Sequence, residues 1–252
     1  MSDKTVGLFI PCYIDEIYPK AALATLRLLE KFDFKVEYPL EQTCCGQPMA
    51  NTGCANDTKK LALRFIDIFH KYDYIVAPSA SCVSMVKNHY EDFIEADEKY
   101  KKVQNSIYEI CEFLTDIVKV KELDSSFPHR VGFHQSCHGL RELHLAAPSE
   151  LNEPYYSKPL KLLKMVKDIQ IVELKRPDEC CGFGGTFSIN EPEISIQMGK
   201  DRVLDHLNAG AEYIVGYDSS CLMHLEGIIK ANAYDIKILH IAQVLAGVYD
   251  EP

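Results

Sequence analysis

The sequence predicts an α/β fold built as two tandem copies of a small parallel-sheet, Rossmann-like unit, with cysteine loops at the carboxyl ends of the strands. Three observations lead there. Short apolar runs alternate with longer amphipathic ones along the chain, the pattern of strands joined by crossover helices. The order apolar run with Cys, then Cys-Cys-Gly, then apolar run with Ser-x-Cys occurs twice. The 252 residues, 47% apolar and 25% charged, suffice for one large core or two joined smaller ones.

The duplication appears when TVGLFIPCY (residues 5–13) is laid against RVGFHQSCH (130–138), and DYIVAPSASCVSM (73–85) against EYIVGYDSSCLMH (212–224). Matching cysteines are offset by 125 residues for Cys12 and Cys137, 136 for Cys44 and Cys180, and 139 for Cys82 and Cys221. The second copy therefore carries extra residues, most visibly in APSELNEPYYSKP. The period exceeds that of solenoid repeats, so each copy is expected to be a small domain, 1–125 and 126–252.

In the first copy, VGLFIP (6–11), KVEYP (35–39) and YIVAPS (74–79) are expected strands, rich in β-branched and aromatic residues. VGFHQS (131–136), IQIVEL (169–174) and YIVGYDS (213–219) are their counterparts in the second. Helical apolar spacing marks KAALATLRLLEKF (20–32), DTKKLALRFIDIFHKY (57–72), LKLLKMVKD (160–168) and SIQMGKDRVLDHLNAG (195–210), the last ending on a glycine suited to a C-cap. Strand–helix alternation implies parallel sheets with right-handed crossovers. Cys12, Cys82, Cys137 and Cys221 then each fall where a strand ends and a helix starts, and Cys44–Cys45 and Cys180–Cys181 fall in similar connections. That edge is where open α/β sheets hold ligands. Helix amino termini there supply N–H groups and positive partial charge that stabilise thiolates. The serines of SASC and DSSC are expected N-caps.

The formal charge of −10 makes nucleic acid and anionic membrane poor partners. The amino-terminal apolar stretch is broken by proline and is too short for a signal peptide or a membrane span, and no other segment is apolar enough to span. A cytoplasmic location is expected, where ten cysteines are ligands, redox groups or core residues rather than disulfides.

Adjacent cysteines fit zinc poorly. Their Cα atoms are only about 3.8 Å apart and their side chains diverge, so two thiolates on one ion would strain the loop. Two sulfurs on different irons of one polynuclear cluster relieve that conflict, and the following glycine lets backbone N–H groups approach the cluster. The expected ligands are Cys12, Cys44, Cys45 and Cys82 in one copy and Cys137, Cys180, Cys181 and Cys221 in the other. Two alternatives stay open: zinc in degraded sites, and a metal-free thiol reductase, although vicinal disulfides demand a strained ring.

At these residues the chain resembles the CCG-type cysteine-rich domain family, whose members include the B subunit of heterodisulfide reductase and iron–sulfur subunits of lactate, glycolate and glycerol-3-phosphate oxidising systems. The resemblance covers both copies, with 31 residues between Cys12 and Cys44 and 36 between Cys45 and Cys82. GLFIPCYID, CCGQPMANTG, FHQSCHGLREL and CCGFGGTFS look most like the lactate-utilisation branch. That resemblance implies an oxidoreductase subunit, inactive alone, of a cytoplasmic iron–sulfur complex oxidising L-lactate to pyruvate, with a subunit acting on a similar 2-hydroxy acid or a heterodisulfide as the alternative. It further implies one 4Fe–4S cluster per repeat, with a larger iron–sulfur protein and a third subunit as partners. The fuller family motif ends in C-x-x-C, and here Met85 and His224 stand at the final position. An ordinary four-thiolate cluster is the expectation, with His224 a possible nitrogen ligand.

No catalytic residue follows from the motif. His134 and His138 flank Cys137 and, with Arg141, are candidates to meet a carboxylate substrate or to hydrogen-bond the site. GFGG (182–185) lacks the context of a nucleotide loop. Tyr13 is a packing residue by expectation. Aligning IYEICEFL with ILHIAQVL sets Cys111 opposite Ala242 on an amphipathic helix, so Cys111 is expected in the core, and Cys54 is a spare thiol.

Overall fold

Eight short strands form two separate sheets in the computed structural model, which describes residues 4–249. In the first, β1 (Thr5–Leu8), β2 (Lys35–Glu37), β3 (Tyr74–Ala77) and β4 (Ile107–Glu109) lie in the order β2-β1-β3-β4, all parallel. In the second, β5 (Arg130–His134), β6 (Gln170–Ile171), β7 (Tyr213–Gly216) and β8 (Lys237–His240) repeat that order as β6-β5-β7-β8, again all parallel. Val6 pairs with Val36 and Tyr74, and Val131 with Ile171 and Tyr213, so the two copies share one register. The chain divides into units Met1–Val118 and Lys119–Pro252. The expected α/β duplication is what the structure shows.

The central strands read as continuous apolar runs because helices cover both faces of a parallel sheet. Val6, Ile75, Val76 and Ala77 are fully buried. Helix Pro19–Lys31 buries Ala21, Ala24, Leu28 and Leu29, one stripe at helical spacing. Helix Ala55–Phe69 turns Phe65 and Phe69 onto Phe9, with ring centroids 4.8 Å and 5.6 Å away. In the second unit helix Pro192–Asn208 presents a different surface, with Arg202 and His206 fully buried. Gly132 on β5 admits it, since a Cβ there would collide with the His206 ring.

Two edge strands depart from expectation. IYEICEFL and ILHIAQVL each open as a strand, β4 or β8, and turn helical only at Ile110 or Ile241. A capping side chain makes the switch. Glu109 Oε2 accepts from the backbone N–H of Cys111 (2.6 Å) and Glu112 (3.3 Å), and His240 Nδ1 accepts from Ala242 (3.1 Å). Strands of three or four residues are too short to show a period of two. Cys111 and Ala242 are both fully buried, as the alignment requires. No helix among the described residues is long and apolar enough to cross a membrane.

Glu109 yields a pH prediction. Burial raises its carboxyl from 4.5 to about 8, against the two N–H groups that favour its charge. The folded protein then holds a proton that the unfolded chain releases. The contribution is complete below about pH 4.5 and is lost as pH rises towards 8. Thermal unfolding should therefore fall in midpoint between about pH 5 and about pH 8. Glu109→Gln should flatten that fall, and an unchanged slope in the variant would show that this carboxyl is not its source.

Candidate metal centres

The strand order places the cysteines. β2 lies on one side of β1, while β3 and β4 lie on the other, so the winding reverses between β1 and β3 and opens a crevice at their carboxyl ends. Cys12 begins the helix Cys12–Ile17 after β1, and Cys82 lies in the helix Ala80–Ser84 after β3. Cys44 and Cys45 occupy the loop between β2 and the helix Gln47–Asn51. In the second unit Cys137 follows β5, Cys180 and Cys181 follow β6, and Cys221 lies in the helix Ser219–Asn232 after β7. Ser79 caps the first of these helices, accepting from the Cys82 N–H at 3.4 Å. Asp218, not a serine of DSSC, takes the cap position in the second.

Two polar residues pin the loops together. Gln42 accepts from Ile10 N–H (2.8 Å) and donates to the carbonyls of Leu8 (3.2 Å) and Pro39 (3.1 Å), tying the end of β1 to the approach of the cysteine pair. Asp178 does the corresponding work, accepting from Gln135 Nε2 (3.2 Å) and Ser149 N–H (2.6 Å). Both stand two residues ahead of their cysteine pair, a coincidence in the repeat alignment that would have flagged them.

In each unit four sulfurs converge. Cys12 Sγ and Cys44 Sγ are 3.9 Å apart. Cys44 also accepts from Cys45, and Cys45 in turn interacts with Cys82, so the adjacent thiols serve different partners. The second unit repeats the chain as Cys137, Cys180, Cys181 and Cys221. Cys45 and Cys181 are each 2% exposed, and Cys82 and Cys221 each 9%, whereas Cys12 is exposed and Cys44, Cys137 and Cys180 are half-buried. One side of each set is sealed and the other is open.

The electrostatics single out one thiolate per set. Donation from Cys12 and Cys45, with the Gly46 N–H at 3.4 Å, lowers Cys44 to about 3. Donation from Cys137 and Cys181, with the Gly182 N–H at 3.3 Å, lowers Cys180 to about 2. The hydrogen bonds to those thiolates push Cys12, Cys45, Cys137 and Cys181 upward. The residues fit a thiolate-bound metal: four convergent sulfurs, backbone N–H groups aimed at them, and one open side.

The remaining candidates fall in distinct places. His134 is 2% exposed, and one ring nitrogen lies with the sulfurs of Cys181 and Cys221, all within 4.8 Å of one another. Burial, reinforced by Arg202, lowers its pKa to about 3. His138 stands 3.9 Å from Glu142. Arg141 is held by Glu150, with Nε to Oε1 at 2.6 Å and a second contact at 3.3 Å. His224 Nε2 lies 3.2 Å from the Ser195 carbonyl oxygen and 3.4 Å from the Ser195 hydroxyl. Met85 is buried at the start of a widened helical turn, and Cys54 is exposed with Thr52 donating to its sulfur at 3.6 Å. Sequence reasoning missed His206 and the buried Arg202–Asp205 pair (3.0 Å), which has no counterpart in the first unit to align with.

Gly46 and Gly182 share φ +88°, the left-handed region that turns their N–H onto a sulfur. A Cβ on Gly46 meets nothing closer than 3.5 Å, while on Gly182 it meets Ser195 O at 2.6 Å and Met198 Cβ at 2.7 Å. Gly46→Ala should cost about 1–2 kcal/mol from backbone strain alone, and Gly182→Ala visibly more. Thermal unfolding and metal content of both variants check this, and equal effects would contradict it.

A cysteine-rich domain family, CCG, matches residues 6–87 and again 131–226. Lactate utilization protein A of Halalkalibacterium halodurans is 40% identical over 244 residues, 95% of this chain and 96% of that protein. Lactate utilization protein A 1 of Bacillus mycoides is 38% identical over 244 residues, with the same coverage. The crystal structure of a hypothetical protein from Helicobacter pylori superposes with a TM-score of 0.63 at 13% identity, covering all of this chain and 50% of that one, a likeness of fold alone. Matched by the domain family in both halves and by these relatives almost end to end, the chain belongs to the CCG cysteine-rich domain family and, within it, to the lactate utilization protein A family.

Proposed function

We propose that the chain is an iron–sulfur subunit of a cytoplasmic complex that oxidises L-lactate to pyruvate, with Cys12, Cys44, Cys45 and Cys82 holding one 4Fe–4S cluster and Cys137, Cys180, Cys181 and Cys221 another. The observation that carries this is the convergence of four sulfurs at the same switch point of both sheets. The split of each adjacent pair between an outer and an inner partner supports several metal atoms rather than one ion. Family membership supports the lactate reading.

Each cluster, when bound, supplies one-electron uptake and release. The buried cysteines anchor it on the sealed side, while Cys12 and Cys137 stand at the open side, where electrons enter and leave. Lactate oxidation removes two electrons and two protons from an alcohol carbon, and no flavin or nicotinamide fingerprint occurs in this sequence. The two-electron step therefore belongs with partners, a larger iron–sulfur protein and a third subunit. Arg141 would reach a substrate carboxylate only by exchanging Glu150 for it. A zinc scaffold is the second reading, favoured by one observation: His134, Cys181 and Cys221 form a compact mixed set of the kind zinc accepts.

Anaerobically prepared protein should bind iron and acid-labile sulfide in both halves. Cys45→Ser or Cys181→Ser should each remove roughly half of the iron, as expected for one cluster per repeat, whereas Cys111→Ala should leave it unchanged. Colourless protein with stoichiometric zinc that resists reconstitution would sink the iron–sulfur reading. Loaded protein should not turn over L-lactate with an artificial acceptor until partner subunits are added, and Cys137→Ser should abolish the restored activity. Rapid oxidation by this chain alone would refute its assignment as part of an enzyme.

A further inference from the structure

The two units differ where their sites might be most alike. The alignment that superposes Cys12 on Cys137 also superposes Phe9 on His134. Phe9 is fully buried and packs against the rings of Phe65 and Phe69. His134 ends β5 at the equivalent place with 2% of its surface exposed, and neither ring nitrogen has a hydrogen-bond partner among the described residues. A buried imidazole in that state forfeits its solvation with nothing in return. The neighbouring His206 ring, at a centroid distance of 6.5 Å, is equally unpartnered and forms no bond with it. What His134 does have within reach is sulfur. One ring nitrogen and the sulfurs of Cys181 and Cys221 all lie within 4.8 Å of one another, a spacing that suits donors arranged around a metal.

We propose that His134 is a nitrogen donor to the metal centre of the second unit, a fifth donor beside Cys137, Cys180, Cys181 and Cys221, so that one chain carries two chemically distinct centres, all-sulfur in the first unit and mixed nitrogen–sulfur in the second. The proposal rests on the iron–sulfur reading above. Two features of the fold support it. The strand β5, paired with β7 up to His134 and Gly216, fixes the ring on the same sheet edge as Cys221. The Arg202–Asp205 pair is itself buried nearby and engages other groups: Arg202 donates through its terminal nitrogens to the Arg176 carbonyl and to Asp205, and Asp205 accepts from the N–H groups of Lys175 (3.2 Å) and Arg176 (3.1 Å). That leaves His134 as a donor unclaimed by the polar interior around it. His224, the other histidine near this site, already has Ser195 on its Nε2.

The test is pulsed electron paramagnetic resonance on full-length, anaerobically reconstituted and reduced protein whose histidines alone carry 15N. An imidazole nitrogen bonded to iron couples far more strongly to the unpaired spin than one held only by a hydrogen bond. A strong histidine coupling is expected in the parent protein, lost in His134→Phe and retained in His138→Gln and His224→Gln. Phenylalanine is chosen because the first unit carries it at this place. Should His134→Phe fail to fold or to load, retention of the coupling in both glutamine variants and in His206→Gln still leaves His134 as its source among the histidines near this site. Protein that holds iron and sulfide but shows no strong histidine coupling, or a coupling that survives His134→Phe, would overturn the proposal and leave the cluster reading standing. Protein that takes up no iron and sulfide would overturn both.

Discussion

Sulfur–sulfur repulsion is the constraint around which each unit is organised. Four thiols lie close together at one sheet edge, and ionising more than one of them sets like charges side by side in a partly buried place. Hydrogen bonds from its neighbours and from a glycine N–H favour one thiolate per set. A cationic core bound there would replace the thiol protons and remove the repulsion, making metal binding and proton release one event. The left-handed glycines, the serine cap under Cys82 and the hydrogen bonds of Gln42 and Asp178 fix the loops that carry the sulfurs.

The parallel sheet supplies the place where this can be done. Reversal of winding between the two central strands leaves a gap at their carboxyl ends, and the loops after the first three strands of each unit drop cysteines into it. Because the same three connections recur, much of the burial recurs: the second cysteine of each pair is sealed, while the first cysteine of each set is exposed in one unit and half-buried in the other. The units diverge behind the sulfurs. At the end of the first strand of each unit, Phe9 packs among aromatic rings, whereas its counterpart His134 lies beside His206 and a buried Arg–Asp pair. Duplication has thus kept the sulfur geometry and changed its surroundings, the usual means by which a protein tunes a metal centre.

Much of this was legible in the sequence for a physical reason. Cysteines that repeat in order and spacing carry their own alignment, and apolar runs of a doubly covered sheet need no periodicity to stand out. β4 and β8 were hidden because each is short and passes into a helix through one capping residue, Glu109 or His240, with no glycine or proline between. His134 was visible as a residue near Cys137, but its neighbours were not: only the folded arrangement sets its ring beside the sulfurs of Cys181 and Cys221. Arg202 and His206 lie on a helix whose charged residues look like a solvated face, and it takes the tertiary packing to show them buried.

The central claim is that two separate metal clusters sit at the two switch points. Anomalous X-ray scattering at the iron edge from crystals grown anaerobically tests it most directly. The account predicts two iron positions per chain, one among Cys12, Cys44, Cys45 and Cys82 and one among Cys137, Cys180, Cys181 and Cys221. Iron absent from both sets, or a zinc edge signal in its place, would contradict it.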